Sequence, residues 1–202
     1  MPKDGTKISR SVSRGPRAGA IAPAHGRAHP PVERWQPPYC GDIGLKIRAD
    51  GVWLYQESPI QREALVRLFA SVLRRDADGR TYLVTPAEKV DVAVEDAPFL
   101  AVMVEVEGES RGQALTFMTN AGDIVACGPG HPLRFAAQEP GGGLKPYLLV
   151  RGRLEALLTR ALTFDLVALS VEESRDGRPA TGVWSRDTFY PMSSELKPFS
   201  AP

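Results

Sequence analysis

Ile43, Leu45 and Ile47 alternate with Gly44, Lys46 and Arg48. This is the period of two that a half-buried strand requires. Asp50-Gly51 offers a turn and Val52 to Tyr55 returns, so 43–55 is predicted to be a hairpin. Ser58-Pro59-Ile60-Gln61 then has the form of a helix start, with Ser58 as cap, Pro59 in the first helical position and Gln61 closing the box. Ile60, Ala64, Leu65, Leu68, Phe69, Val72 and Leu73 recur at helical spacing while Arg62, Arg67, Arg74 and Arg75 take the other side, which predicts a helix ending near Arg75.

Beyond the Asp76–Gly79 turn the period returns to two. Thr81–Thr85, Val90–Val94 and Phe99–Val106 are rich in β-branched and aromatic residues and are predicted to be strands. Ala114–Thr119, Ile124–Cys127, a short piece at Leu133–Ala136 and Tyr147–Val150 follow, with turns at Gly108–Gly112 and Asn120–Asp123. Leu154, Leu157, Leu158, Ala161, Leu162, Leu166 and Leu169 keep helical spacing and predict a second helix, and Thr181–Tyr190 a last strand. Arg62-Glu63-Ala64-Leu65 is echoed by Leu154-Glu155-Ala156-Leu157, and Gly51-Val52-Trp53 by Gly182-Val183-Trp184. With one helix and several antiparallel strands in each half, this permits a duplicated α+β architecture and does not suit a parallel βαβ array.

Charge divides the 202-residue chain unevenly. Residues 1–34 hold seven basic and two acidic side chains, net +5, and the remainder 18 basic and 22 acidic, net −4. The basic segment is interrupted by Pro2, Pro16, Pro23, Pro30 and Pro31 and has no apolar periodicity. Residues 1–35 are therefore expected to form a disordered arm, since so little apolar surface cannot offset the entropy of ordering it. Residues 36–96 and 97–192 are expected to be two α+β domains, and 193–202 a tail. No run of about 18 apolar residues exists to make a membrane helix. Cys40 and Cys127, far apart and outside any CxxC, argue for a reducing, cytoplasmic location. The acidic body makes nucleic acid a poor partner beyond weak contact through the arm.

No phosphate loop, GxGxxG, GxSxG or HExxH is present. His131 has no companion at ligand spacing, so no metal is expected. Thr85-Pro86-Ala87-Glu88-Lys89 and Glu95-Asp96 lie between predicted strands, where loops carry binding groups on a rigid frame. They could form an acid/base pair or a structural ion-pair network. Arg151 and Arg160 offer planar cationic forks for carboxylate or phosphate, Asn120 an amide, and Trp184 or Trp53 a stacking face.

A longer pattern joins these pieces. Cys40-Gly41-Asp42-Ile43, Asp50-Gly51-Val52-Trp53, Ser58-Pro59-Ile60, Leu65 to Phe69, Val84-Thr85-Pro86 and Val94 to Phe99 occur in order. Phe117 to Asn120, His131-Pro132-Leu133, Tyr147 with Val150-Arg151, Leu154 to Arg160 and Gly182 to Ser185 continue it. This string, over about residues 36–192, resembles the bacterial family called domain of unknown function 1285. It departs from the family pattern at Glu57, where glycine is expected, and at Arg186-Asp187, where smaller residues are expected. The resemblance implies two small α+β units built on a repeated motif, the second like a pleckstrin-homology domain. It also implies a pocket between the halves for a nucleotide-type ligand, and a role in bacterial signalling. The family supplies no catalytic residue to carry over. The expectation is a non-enzymatic ligand-binding protein using Thr85, Glu88, Lys89, Asp96, Asn120, Arg151, Arg160 and Trp184, without a further cofactor and with a protein partner left open. The alternative is hydrolase-type acid/base chemistry at Glu88, Asp96 and His131.

Overall fold

The computed structural model of the chain describes residues 29–137, 143–175 and 177–192. Strands β1 (Tyr39–Ile47), β2 (Trp53–Tyr55) and β3 (Ser58–Pro59) lead into helix α1 (Glu63–Ser71). Strands β4 (Leu73–Arg75), β5 (Thr81–Val84) and β6 (Lys89–Val94) follow. These six strands form one sheet in the order β3-β2-β1-β6-β5-β4, with β1 and β6 parallel and every other neighbour antiparallel.

A second sheet holds β7 (Phe99–Glu107), β8 (Ala114–Thr119), β9 (Ile124–Ala126), β10 (Leu133–Ala137), β11 (Leu144–Arg151) and β12 (Leu154–Leu158). Its order is β10-β11-β12-β7-β8-β9, with β7 and β12 parallel. Replacing β1–β6 by β7–β12 therefore reproduces the pairing of the first sheet, and the two halves are duplicates of one strand plan. Helix α2 (Arg160–Ala168) and a three-stranded meander of β13 (Val171–Arg175), β14 (Arg178–Ser185) and β15 (Thr188–Pro191) complete the C-terminal half. Leu45, Ile47, Trp53, Leu73 and Val90 of the first half share one buried cluster with Phe99, Phe117, Leu148, Ala156, Leu162, Leu166 and Val183 of the second.

The duplication does not follow the two tetrapeptide and tripeptide echoes. Arg62–Leu65 opens a helix, whereas Leu154–Leu157 lies in β12. Gly51 sits in a turn at φ +80°, whereas Gly182 lies inside β14, with the Tyr190 carbonyl where a Cβ would be. The resemblance between halves is one of strand pairing, which different residues satisfy equally well.

Two expected helices are shorter than their apolar spacing suggests. Ser58 caps nothing, because Gln56 and Glu57 both take positive φ, 47° and 61°, and fold Ser58-Pro59 back against Leu54 and Tyr55. The helix starts at Glu63 and ends at Ser71, whose Oγ donates to the Leu68 carbonyl at 2.7 Å. Leu73 to Arg75 then pair with β5. Likewise 154–158 is a strand whose buried residues are Leu154, Ala156 and Leu158, a period of two that supplies the parallel partner of β7. The last predicted strand divides at Arg186-Asp187, both at positive φ, into β14 and β15. Glu57, Arg186 and Asp187 each occupy a backbone conformation that favours glycine.

The segment from His29 to Trp35 corrects the expectation for the end of the arm, while the rest of the arm and the tail from 193 lie outside the described residues. Val32 is buried, and Val32–Arg34 form a single 3₁₀ turn. Arg74 holds this segment by donating from Nη1 to the carbonyls of Val32 and Trp35, both at 2.8 Å. The arginine that helical spacing would have turned to solvent is thus buried by a segment about 40 residues earlier.

Candidate functional site

A cleft of about 400 Å³ runs along β6 from the β4–β5 turn to the link between the two sheets. Its polar walls are Arg75, Arg80, Thr81, Asp42, Asp91 and Asp96, and Pro98 closes the linker end. Asp91 stands mid-strand among Val90, Val92 and Val94 with only 8% of its surface exposed. Its register partner on β5 is Tyr82 and on β1 Asp42, so these side chains share a face of the sheet.

Charge explains how a carboxylate survives there. One Asp91 oxygen accepts from Arg80 Nη2 at 2.5 Å, and the other accepts from the Tyr39 hydroxyl. A buried carboxylate is tolerable when a cation and a hydroxyl take its lone pairs. Arg80 keeps 56% of its side chain in solvent while Asp91 anchors it, and its guanidinium has further N–H groups beyond the one given to Asp91. The turn that presents Arg80 is internally tied. The Arg80 amide donates to Asp78 Oδ1 at 2.9 Å, and Arg75 Nε donates to the Gly79 carbonyl at 3.1 Å.

A second polar group lies in the same cross-strand row, since Arg74 pairs with Tyr82 and Tyr82 with Asp91. Arg74 reaches Asp76 Oδ1 at 2.6 Å, and Lys89 Nζ reaches Asp76 Oδ2 at 3.2 Å while lying 4.3 Å from the Tyr82 ring centre. Burial alone would raise the Asp76 carboxyl, but the bonds from Arg74 and Lys89 outweigh it and hold the group below its ordinary value. The Tyr82 hydroxyl donates to Asp78 at 2.6 Å, and that bond together with burial pushes its pKa up to about 12.

The eight residues expected to bind ligand are dispersed. Thr85 shapes the β5–β6 turn, its Oγ1 accepting from the amides of Ala87 and Glu88 at 3.2 and 3.1 Å. Glu88 is exposed beside it, and Lys89 is committed to Asp76. Asp96 lies beyond the other end of the six-residue β6, about 16 Å away at ~3.3 Å per residue. It accepts from Lys145 Nζ and the Tyr147 hydroxyl, both at 2.7 Å; burial and that bond raise the Tyr147 pKa.

Asn120 Oδ1 accepts from the Leu100 amide at 3.0 Å. Its turn ends at Asp123, which pairs with Arg151 Nη1 at 3.1 Å, so Asn120 and Arg151 do share one region. Arg151 Nη2 also donates to the Ala70 carbonyl at the end of α1, which makes Arg151 a tie between the halves. Burial lowers its pKa and Asp123 opposes that shift.

Arg160 lies 5.6 Å from the Phe164 ring on α2. Trp184 belongs to the meander, its indole N–H donating to Glu173 at 3.2 Å under Arg111. Trp53 is core, 3% exposed. Of the eight, Asp96 alone lines the cleft among the described residues. The trio considered for hydrolysis is apart too: Glu88 and Asp96 flank β6, and His131 Nδ1 sits 3.1 Å from the Leu149 carbonyl of β11.

Inspection of the chain missed Asp42, Arg75, Arg80, Thr81 and Asp91. One signal was available in Asp91, a carboxylate in the middle of an apolar strand. Its cation lies eleven residues earlier, across a turn whose geometry had to be known first.

Residues 30–97 match the N-terminal domain, and residues 98–192 the C-terminal domain, of the family described as domain of unknown function DUF1285. The chain belongs to the DUF1285 family. It is similar to a DUF1285 family protein from Silicibacter pomeroyi DSS-3 known as a crystal structure, with 47% identity and a TM-score of 0.75 over 82% of this chain and 87% of that one. A DUF1285 family protein from Shewanella baltica OS155 is 29% identical, with a TM-score of 0.49 over 62% of this chain and 91% of that one. No curated protein matches the chain. Among the described residues, no group of three or more His, Cys, Asp or Glu could hold a metal ion, and no helix is long and apolar enough to cross a membrane.

Proposed function

We propose that this DUF1285 protein is a non-catalytic, cytoplasmic small-molecule-binding protein acting in signal transduction, and that the cleft along β6 takes an anionic, nucleotide-type ligand. The observation that carries the reading is Arg80, anchored from behind by a buried carboxylate and open in front, with Arg75 on the same wall. A guanidinium held in place before binding loses little freedom when it meets a phosphate. Thr81 adds a hydroxyl, and Asp42 and Asp96 add acceptors for sugar hydroxyls. The volume falls within the range of small-molecule sites. Asp96 brings Lys145 and Tyr147 of the second sheet to the rim, so a ligand there would report to both halves. The signalling role and the pleckstrin-homology likeness of the C-terminal half rest on the family resemblance; a helix following six strands agrees with the latter.

The test is calorimetric titration of the full chain with mononucleotides, dinucleotides and their cyclic forms, repeated with Arg80→Ala. One lost charge-assisted bond is worth about 1.5–3 kcal/mol, so the variant should bind about 10- to 150-fold more weakly. No binding by any member, or an affinity indifferent to Arg80→Ala, overturns the site. Turnover of a bound nucleotide overturns its non-catalytic character.

A further inference from the structure

Helix α2 buries Leu162 and Leu166 and presents its opposite side to solvent. There Phe164 is 61% and Val167 50% exposed, and Val171, just past the helix, 39%. Ala161 and Ala168 are exposed beside Phe164. At about 100° per residue, Ala161, Phe164 and Ala168 lie within an arc of about 60°. The same rotation puts Arg160 on one flank of this stripe and Asp165 on the other. Arg160 rests on its own Phe164 ring, and neither charge has an ion-pair partner among the described residues. An open phenylalanine between small residues, rimmed by one unpaired cation and one unpaired anion, is a self-complementary surface.

We propose that a second copy of this chain docks here, with α2 of the two protomers side by side and parallel about a two-fold axis. In a parallel helix pair, a residue flanking the apolar stripe on one side meets the partner residue five positions later on the other side. Arg160 and Asp165 have that spacing and those flanks. The symmetry therefore forms the Arg160–Asp165 contact twice, from each protomer to its partner. An antiparallel pair would instead set arginine near arginine and aspartate near aspartate. The alanines let the helices approach, and Phe164 fills the seam between them. A seam little longer than one heptad belongs to the weak class of interfaces.

Sedimentation velocity of the full chain, from a few micromolar to several hundred micromolar at low salt, tests this independently of the cleft. The wild type should pass from monomer to dimer. Phe164→Ala, Arg160→Asp and Asp165→Arg should each weaken the dimer about tenfold or more, while Arg160→Asp combined with Asp165→Arg should restore it to within about threefold. All three positions are exposed, and a circular-dichroism melt confirms that each variant is folded. A wild type that stays monomeric throughout overturns the proposal. So does a dimer indifferent to these changes, a failure of the double reversal to rescue, or a different protein binding at Phe164 while the chain itself remains a monomer.

Discussion

Arg151 has the chemistry of a ligand-binding arginine, and its surroundings give it a measurable structural task. Its guanidinium donates to Asp123 Oδ2 at 3.1 Å and to the Ala70 carbonyl, and it packs 5.0 Å from the Phe99 ring centre. Arg151→Ala removes two bonds to charged or strongly polar acceptors, each worth about 1.5–3 kcal/mol. Against this, the wild type bears the desolvation of the guanidinium and a buried Nε without a hydrogen-bond partner, an offset of about 1–3 kcal/mol. Asp123, whose side chain is 11% exposed, keeps His29 at 2.9 Å and is not left bare. The net loss is about 3 kcal/mol, which for a chain of this size lowers Tm by about 6–12 °C. Arg151→Lys should recover less than half, because one ammonium cannot serve both acceptors with a planar fork. A double-mutant cycle with Asp123→Asn should show coupling of about 1–2 kcal/mol, and hydrogen exchange should rise in the last turn of α1. A melting shift under about 2 °C, or strict additivity in the cycle, would refute the inter-half tie and return Arg151 to the candidates for ligand contact.

Gly182→Ala should destabilise the protein by about 1–3 kcal/mol or more, since its Cβ would fall 2.4 Å from the Tyr190 carbonyl oxygen; an unchanged urea midpoint would show that the β14–β15 pair can part. Glu57→Gly should stabilise by about 0.5–1 kcal/mol, because Glu57 holds φ at +61° and the relief of about 1–2 kcal/mol exceeds the entropy glycine adds to the unfolded chain; a lower Tm would contradict it. Asp76, held below its ordinary pKa by Arg74 and Lys89, contributes stability above the unfolded carboxyl value of about 4 and loses it as pH falls through the lower folded value. Urea unfolding between pH 6 and pH 2.5 should therefore show a shallower acid loss for Asp76→Asn than for the wild type, and equal slopes would remove Asp76 from the account. Tyr82, raised to about 12 chiefly by its bond to Asp78, contributes stability that is intact below pH 10 and fades as pH approaches 12; Tyr82→Phe should flatten that alkaline loss in the same assay.

Local pattern was enough to mark strands wherever apolar and polar residues alternate, as in β1, β6, β7 and β8, and to mark the turns at Asp50-Gly51 and Asn120–Asp123. These features depend on neighbours within a few residues, which is the range a chain carries in its own order. The helix-or-strand choice at Leu154–Leu158 was not local. An apolar run of this length suits both periods, and β7 decided it by offering a parallel edge. Ser58-Pro59 has every sign of a helix start, yet two residues at positive φ turn it into a strand because Leu54 and Tyr55 stand ready to pair. The site followed the same division. Asp91 could be noticed as a misplaced carboxylate, but Arg80 and Tyr39, eleven and 52 residues away, become its partners only when β1, β5 and β6 lie side by side. Lys89 and Asp96 stand out as charged groups between predicted strands, Arg151 as a cationic fork and Trp184 as a stacking face, and the fold gives each a separate neighbour. Composition and period set which residues could be buried or ionic. Only the closure of distant strands into sheets decided which of them meet, because a contact across tens of residues is specified by the packing of the whole core and by no shorter stretch of chain.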